Sequence, residues 1–250
     1  MKKTFFVLFI FVPILSFCQG NYQVPSINDT SDYATKVYID PDWTGTESGT
    51  ISEPYNSWSD ITLTTNTAYL FKAGTSHPAI TVNGATDIYI GKYGSGDNPL
   101  FDMTGRFYLL NSSYVVLDSL WITRTGGSDY QNVLDFQSAT VSHMTVSYCK
   151  VWGQDGGGPY PDGYPYRVQV GMGHNFTLYH SEYSYCRNDL IYAGGGDNMK
   201  IVSNYFHHAC MDNLPPTNTG TGDVIQLENA NFSNGYIANN FMDRQHTVWK

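Results

Sequence analysis

The 250-residue sequence predicts an all-β solenoid, a stack of short coils built from strands that repeat from one coil to the next. Three observations lead there. First, apolar residues alternate with small, amide or hydroxyl residues in a motif that returns as Val115, Leu117, Leu120, Ile122, then Met144, Val146, Cys149, Val151, then Phe176, Leu178, Ser181, Tyr183, then Met199, Ile201, Asn204, Phe206, and finally Ile237, Asn240, Met242. Second, a shorter strand-like run follows each of these: Val133-Leu134-Asp135-Phe136, Val168-Gln169-Val170, Leu190-Ile191-Tyr192, Val224-Ile225-Gln226-Leu227 and Val248-Trp249. Third, no stretch carries a helical stripe long enough to cover a parallel sheet in βαβ fashion. Anchored on Leu117, Val146, Leu178, Ile201 and Ile237, the first series advances in steps of 29, 32, 23 and 36 residues. Anchored on Leu134, Val168, Ile191, Ile225 and Val248, the second advances by 34, 23, 34 and 23. Fixed apolar signatures at variable spacing mean coils that keep their strands and vary their loops.

From the N-terminus, Lys2 and Lys3 precede an apolar run from Phe5 to Phe17, too short to span a bilayer, with Ser16 and Cys18 at the −3 and −1 positions of a cut after Cys18. Residues 1–18 therefore read as a signal peptide, and the mature chain as secreted or held at the cell surface. Acylation of Cys18 is the alternative, which the bulky Phe17 opposes. Residues 19–35 read as a linker and 36–250 as one solenoid domain. Its opening is Lys36-Val37-Tyr38-Ile39-Asp40-Pro41, followed by Tyr69-Leu70-Phe71-Lys72-Ala73-Gly74-Thr75, Ile80-Thr81-Val82 and Ile88-Tyr89-Ile90-Gly91.

These residues and the two recurrent motifs resemble the opening strand and coils of the right-handed parallel β-helix proteins of the pectate-lyase-like group. The resemblance covers residues 36–250 and implies stacked strands about 4.8 Å apart. It also implies an internal ladder at Asn204 and Asn240, continued by Ser181 and Cys149, in which stacked amides satisfy one another inside a turn; ordinary turn residues are the alternative. Activity in that group is carbohydrate cleavage, but fold alone does not transfer it.

Composition is compatible. Charged residues make up 14 % of the chain, against the ~25 % usual for globular proteins, while Tyr reaches 20 and Gly 24 residues. Amides, hydroxyls and phenols of this kind suit a carbohydrate-facing surface, and equally a turn-rich β protein. Formal net charge is −9, and removal of Lys2 and Lys3 makes the exported chain more acidic by two. That excludes nucleic acid and anionic membrane as partners, and it permits a polyanionic glycan only where cations bridge the charges. A monomer is expected. Cys186 and Cys210 fall nearly one above the other in the stack, and export permits a disulfide between them; two buried thiols are the other reading.

Chemistry is sought where coil length changes. From the first series to the second the connections run 17, 22, 13, 24 and 11 residues, so two long insertions flank one short turn. The short turn, Arg187-Asn188-Asp189, is expected to floor a groove whose walls carry Tyr160, Tyr164 and Tyr166 on one side and His207-His208 on the other. Asn188-Asp189-Leu190-Ile191 recurs one coil later as Gly222-Asp223-Val224-Ile225, which predicts carboxylates on adjacent coils. Such a pair can act as acid and base, or chelate calcium together with Asp212; alternatively Asp189 and Asp223 cap turns through backbone amides. The segment resembles the Asn-x-Asp-Gly motif of β-helix glycoside hydrolases, without the adjacent Asp-Asp pair, a full Gly-His-Gly or an Arg-x-Lys; the Arg-centred motifs of pectate lyases are also incomplete.

His208 is a candidate general acid or base, and Arg187 a candidate for neutralising a substrate carboxylate. Asn188, His207 and the three tyrosines are candidates for holding sugar, the tyrosines by stacking on pyranose faces. The strand that begins at Val248 has no polar cap after it, which predicts a truncated product. The function expected is a polysaccharide lyase or glycoside hydrolase; the alternative is a non-catalytic β-helix adhesion protein that binds glycans.

Overall fold

The computed structural model describes residues 29–124, 132–136, 141–153, 167–171, 174–186, 189–194, 196–209, 223–227 and 232–243. Among them there is no α-helix; the strands form three long sheets and a two-stranded one, Gly196–Asp197 with Phe232–Ser233, and every pairing is parallel. The first sheet comprises Thr35–Ile39, Thr67–Lys72, Thr86–Tyr93, Ser113–Asp118, Ser142–Ser147, Phe176–Tyr179, Lys200–Val202 and Tyr236–Ala238. The second comprises Ser76–His77, Leu100–Met103, Trp121–Arg124, Lys150–Trp152, Glu182–Ser184, Tyr205–His207 and Phe241–Asp243. The third comprises Thr81–Asn83, Phe107–Leu110, Leu134–Phe136, Arg167–Gly171, Asp189–Ala193 and Ile225–Leu227. The chain visits first, second and third sheet in turn and then begins again one rung further on, which makes it a parallel β-helix.

The alternation of the sequence becomes columns inside the coil. In the first sheet Val37, Tyr69, Ile90, Leu117, Val146, Leu178, Ile201 and Ile237 stand in register, as the spacing of the last five predicts. In the second, His77, Phe101, Ile122, Val151, Tyr183, Phe206 and Met242 form the matching column. Up to Ile201 and Phe206 the apolar members merge with the third sheet's Phe107, Leu109, Leu134, Phe136 and Ile191 into one continuous core, while Ile237 and Met242 are exposed.

One expected position is corrected. Gln169, not Val168, stands between Leu134 and Ile191, while Ile225 follows as expected. Val168 and Val170 alternate as an inward pair would, but alternation distinguishes inside from outside only where the outer face is wet. Here it is covered: Asp135 and Tyr192, in the column of Val170, are 0 % and 8 % exposed.

Between the first and second sheets the motif bends through two residues. The first of each pair, Ser119, Tyr148, His180, Ser203 and Asn239, has φ between 46° and 56°, a left-handed conformation that turns the corner. The second, Leu120, Cys149, Ser181, Asn204 and Asn240, points inward and forms the expected ladder. Asn240 Oδ1 accepts from the Asn204 backbone N–H at 2.9 Å and from Asn204 Nδ2 at 3.1 Å. Asn204 Oδ1 accepts from the Ser181 N–H at 3.0 Å, and Ser181 Oγ from the Cys149 N–H at 3.1 Å. Asn204 Nδ2 and Asn240 Nδ2 also donate to the carbonyls of Leu178 and Ile201, at 3.1 and 2.8 Å. The turn N–H groups of Cys149, Ser181 and Asn204 thus each find an acceptor in the next coil.

A second left-handed series, Asn66, Asp87, Tyr114, His143, Asn175, Asn198 and Asn234, marks the entry to the first sheet. Asn and Asp adopt this conformation easily; Tyr does so at a steric cost of about 1–2 kcal/mol. Where Tyr appears, its ring lies on a left-handed His of the following coil: Tyr114 on His143 at 4.1 Å, Tyr148 on His180 at 5.5 Å, and Tyr185 on His208 at 4.7 Å between centroids. The interplanar angles are 15°, 11° and 18°, so stacking offsets part of the backbone strain.

Candidate functional site

From the strand Thr67–Lys72 onward, the connections that vary most in length lie at the corner between the second and third sheets, from three residues after His77 to seventeen after His207. Of the sequence-predicted site residues, His207, His208, Asp189 and Asp223 are described, and they border that corner. Arg187, Asn188, Tyr160, Tyr164, Tyr166, Asp212 and Cys210 lie outside the described residues; Cys186 is fully buried.

On the second-sheet side, His207 ends the strand Tyr205–His207 and His208 follows in the left-handed conformation, φ 52°. Because 205 and 207 share the parity opposite to buried Phe206, His207 projects from the outer face, where it is nonetheless 7 % exposed. Three groups cover it. The Tyr205 ring stacks on it at 4.5 Å, Trp152 of the coil two rungs back meets it edge-on at 6.4 Å, and Glu182 Oε1 lies 2.9 Å from its Nε2. Its Nδ1 lies 2.6 Å from His208 Nδ1. The His208 ring rests on Tyr185, and Tyr185 meets Trp152 at 6.0 Å. Lys150, exposed, holds its ammonium 5.5 and 5.4 Å from the Trp121 and Trp152 ring centres. Burial alone pushes the Glu182 carboxyl up, but the hydrogen bond and charge of His207 and the charge of Lys150 outweigh it and hold the group below its ordinary value.

On the third-sheet side, Asp189 opens the strand Asp189–Ala193 and is fully buried, whereas Asp223 is exposed. Asp189 Oδ1 accepts from the backbone N–H of Asp223 at 3.0 Å. The Gln226 amide, oriented with its nitrogen toward Asp189, donates to the two oxygens at 3.3 and 2.7 Å. What the structure joins is therefore the carboxylate of one aspartate to the peptide of the other, which is the turn-capping arrangement. Both Asp189 oxygens face donors, and among the described residues no three His, Cys, Asp or Glu side chains gather as a metal cluster. Asp212, the third member of the expected calcium set, lies outside the described residues, and no step is derived through a metal.

Two polar groups of this region escaped the sequence. Glu182 reads there as an ordinary outward residue of a strand; its register pairing with Lys150 is the signal that identifies it once coils are aligned. Asp135, fully buried on the outer face of the third sheet, accepts from Arg106 Nη1 at 2.7 Å and Asn132 Nδ2 at 3.1 Å. The Arg106 guanidinium also lies 3.9 Å over the Tyr108 ring.

No family model matches the chain, and no curated protein matches it. Among solved structures it is similar to a rhamnogalacturonan lyase, with 12 % identity and a TM-score of 0.46 over 81 % of this chain and 62 % of that one. It is also similar to a GH136 lacto-N-biosidase from Eubacterium ramulus, with 15 % identity and a TM-score of 0.45 over 82 % of this chain and 41 % of that one. The chain thus spans less than two thirds of either neighbour's length. Likeness of this degree transfers neither substrate nor residue roles. On its own strand pairings the chain is a parallel β-helix, and the described His207, His208, Glu182, Trp152 and Tyr185 gather beside the corner where coil length varies most.

Proposed function

We propose that the chain is an exported carbohydrate-active enzyme that cleaves a polysaccharide, by lyase or hydrolase chemistry, at the corner between the second and third sheets. The observation that carries this reading is the pair His207-His208, hydrogen-bonded to each other and to a carboxylate among the rings of Trp152, Tyr185 and Tyr205. An imidazole exchanges protons near neutral pH, and aromatic faces stack on the C–H faces of pyranose rings. His208 is assigned the proton transfer at the scissile unit. Asp223, exposed, is assigned the second carboxyl role. Arg187 serves to neutralise a substrate carboxylate where the glycan is acidic; Asn188, Tyr160, Tyr164 and Tyr166 hold the sugar.

The test is incubation of the full chain with a panel of neutral and uronate-bearing polysaccharides, followed by absorbance of unsaturated uronates and by reducing ends. New absorbance means a lyase; reducing ends without it mean a hydrolase. A second reading, an adhesion protein that binds glycan without cleaving it, is favoured by the capping role of Asp189. Binding with silence in both assays establishes it.

A further inference from the structure

The geometry points to a proton relay Glu182–His207–His208 in which Glu182 and His207 are positioning residues that make His208 Nε2 the reacting nitrogen. The inference rests on the reading of His208 as the proton-transfer group, but its core is a statement about tautomers. His207 Nε2 lies 2.9 Å from Glu182 Oε1, and an ionised carboxylate only accepts, so His207 carries a proton on Nε2. The two Nδ1 atoms are 2.6 Å apart; at that distance one carries a proton and the other accepts it. With His207 neutral and already protonated on Nε2, its Nδ1 is the acceptor. His208 is therefore protonated on Nδ1, and its lone pair lies on Nε2.

Proton uptake then has a defined route. A proton taken from the substrate, or from a water attacking it, bonds to His208 Nε2. The Nδ1 proton of His208 passes to His207 Nδ1. The dyad has gained one proton and one positive charge, and that charge resides on His207, in contact with the Glu182 carboxylate. Return of the proton to a leaving oxygen reverses both transfers. The rings are held for this by packing on both faces, Tyr205 against His207 and Tyr185 against His208. Among the described residues the other titratable groups about the relay are Lys150, in register with Glu182, Asp243, in register with His207, and the phenols Tyr185 and Tyr205.

The test is nitrogen-15 NMR of the full chain labelled in histidine, with a pH titration of the wild type and of Glu182→Gln. The expected result is a Nε2-protonated His207 and a Nδ1-protonated His208 in the neutral protein, titrating as a coupled pair. Glutamine can still accept the His207 hydrogen bond but brings no charge, so Glu182→Gln should lower the midpoint of the pair by about one pH unit, a tenfold loss of proton affinity. The same shift should appear in the acid limb of the cleavage rate. The opposite tautomer at either histidine, or a midpoint unmoved in Glu182→Gln, overturns the relay. Correct tautomers in a chain that cleaves no glycan leave the relay standing and remove the proposed function instead.

Discussion

The second sheet is entered and left under different rules. From Asp118 onward the turn into it from the first sheet is two residues long in every described coil; the connection out of it toward the third sheet runs from four residues after Ser184 to seventeen after His207. At the entry, side chains point inward and bind the peptide groups of neighbouring coils, so a change of length would break several buried bonds at once. At the exit, His207 points outward and binds Glu182 and His208, while Cys186 and Ala209 enter the core and Asp189 accepts from the Asp223 peptide. Constraint and chemistry are thus separated by the width of one sheet, and mutations at the two edges should separate stability from activity.

The largest effect belongs to the entry. Asn204→Ala removes the acceptor of the Ser181 N–H and the donor to the Leu178 carbonyl, both buried. Orphaned groups of this kind cost about 1–3 kcal/mol each, so chemical denaturation should show a loss of about 4 kcal/mol, with turnover per folded molecule unchanged. Asn204→Ser should recover part of it, because Ser181 performs the same task with a hydroxyl.

Inside the same sheet, His77 Nε2 lies 2.7 Å from Thr75 Oγ1, and its ring is packed between Phe71 and Phe101. Burial pushes its pKa down to about 4, despite the opposing charges of Asp40 and Asp42. The unfolded chain, with an ordinary histidine near 6.5, binds the proton that the folded chain refuses. Stability is therefore fully present above pH 6.5 and falls as the pH drops toward 4, by about 3 kcal/mol for a shift of this size. Melting temperatures across that window should show the slope, and His77→Phe should flatten it.

At the exit, His208→Ala should lower turnover by about a hundredfold, the usual worth of general acid or base assistance, with little change in melting temperature. A variant that unfolds, or one that keeps its rate, contradicts the division between the two edges. Asp189 sharpens it further, since it stands at the exit yet caps a turn. Asp189→Asn keeps an acceptor for the Asp223 N–H, and Gln226 can rotate to present its oxygen; stability should fall by about 1 kcal/mol or less while turnover persists. The smallest expected effect is that of chelation: EDTA should leave the melting temperature where it is, and a shift would assign calcium to the corner.

What the sequence reveals follows the same division. The first-sheet column from Leu117 to Ile237 and the ladder Cys149, Ser181, Asn204, Asn240 are legible because an inward position accepts few residue types and the two-residue turn keeps their spacing from the strand fixed. Val168 misleads because both faces of the third sheet are covered there, which erases the polar half of the alternation. Asp189 and Asp223 are read as recurring, and they do lie on successive coils, but burial of one and exposure of the other depends on how the turn rotates each carboxyl. Glu182 is hidden for a different reason: its importance comes from His207, 25 residues away, and only the stacking of coils brings the two together.

The two-residue turn has a consequence for how such a chain can change its length. One residue inserted between Asp118 and Trp121, or at the matching place in any later coil, would reverse the parity of the strand that follows and turn its core residues toward water. The same residue inserted after Trp152 or His207 would only lengthen an arm that already varies. Growth by insertion is thereby kept out of the two-residue turn, and the largest additions fall between the second and third sheets, on the side of the histidine pair. A lineage of such chains can remodel what it grips without touching what holds it together.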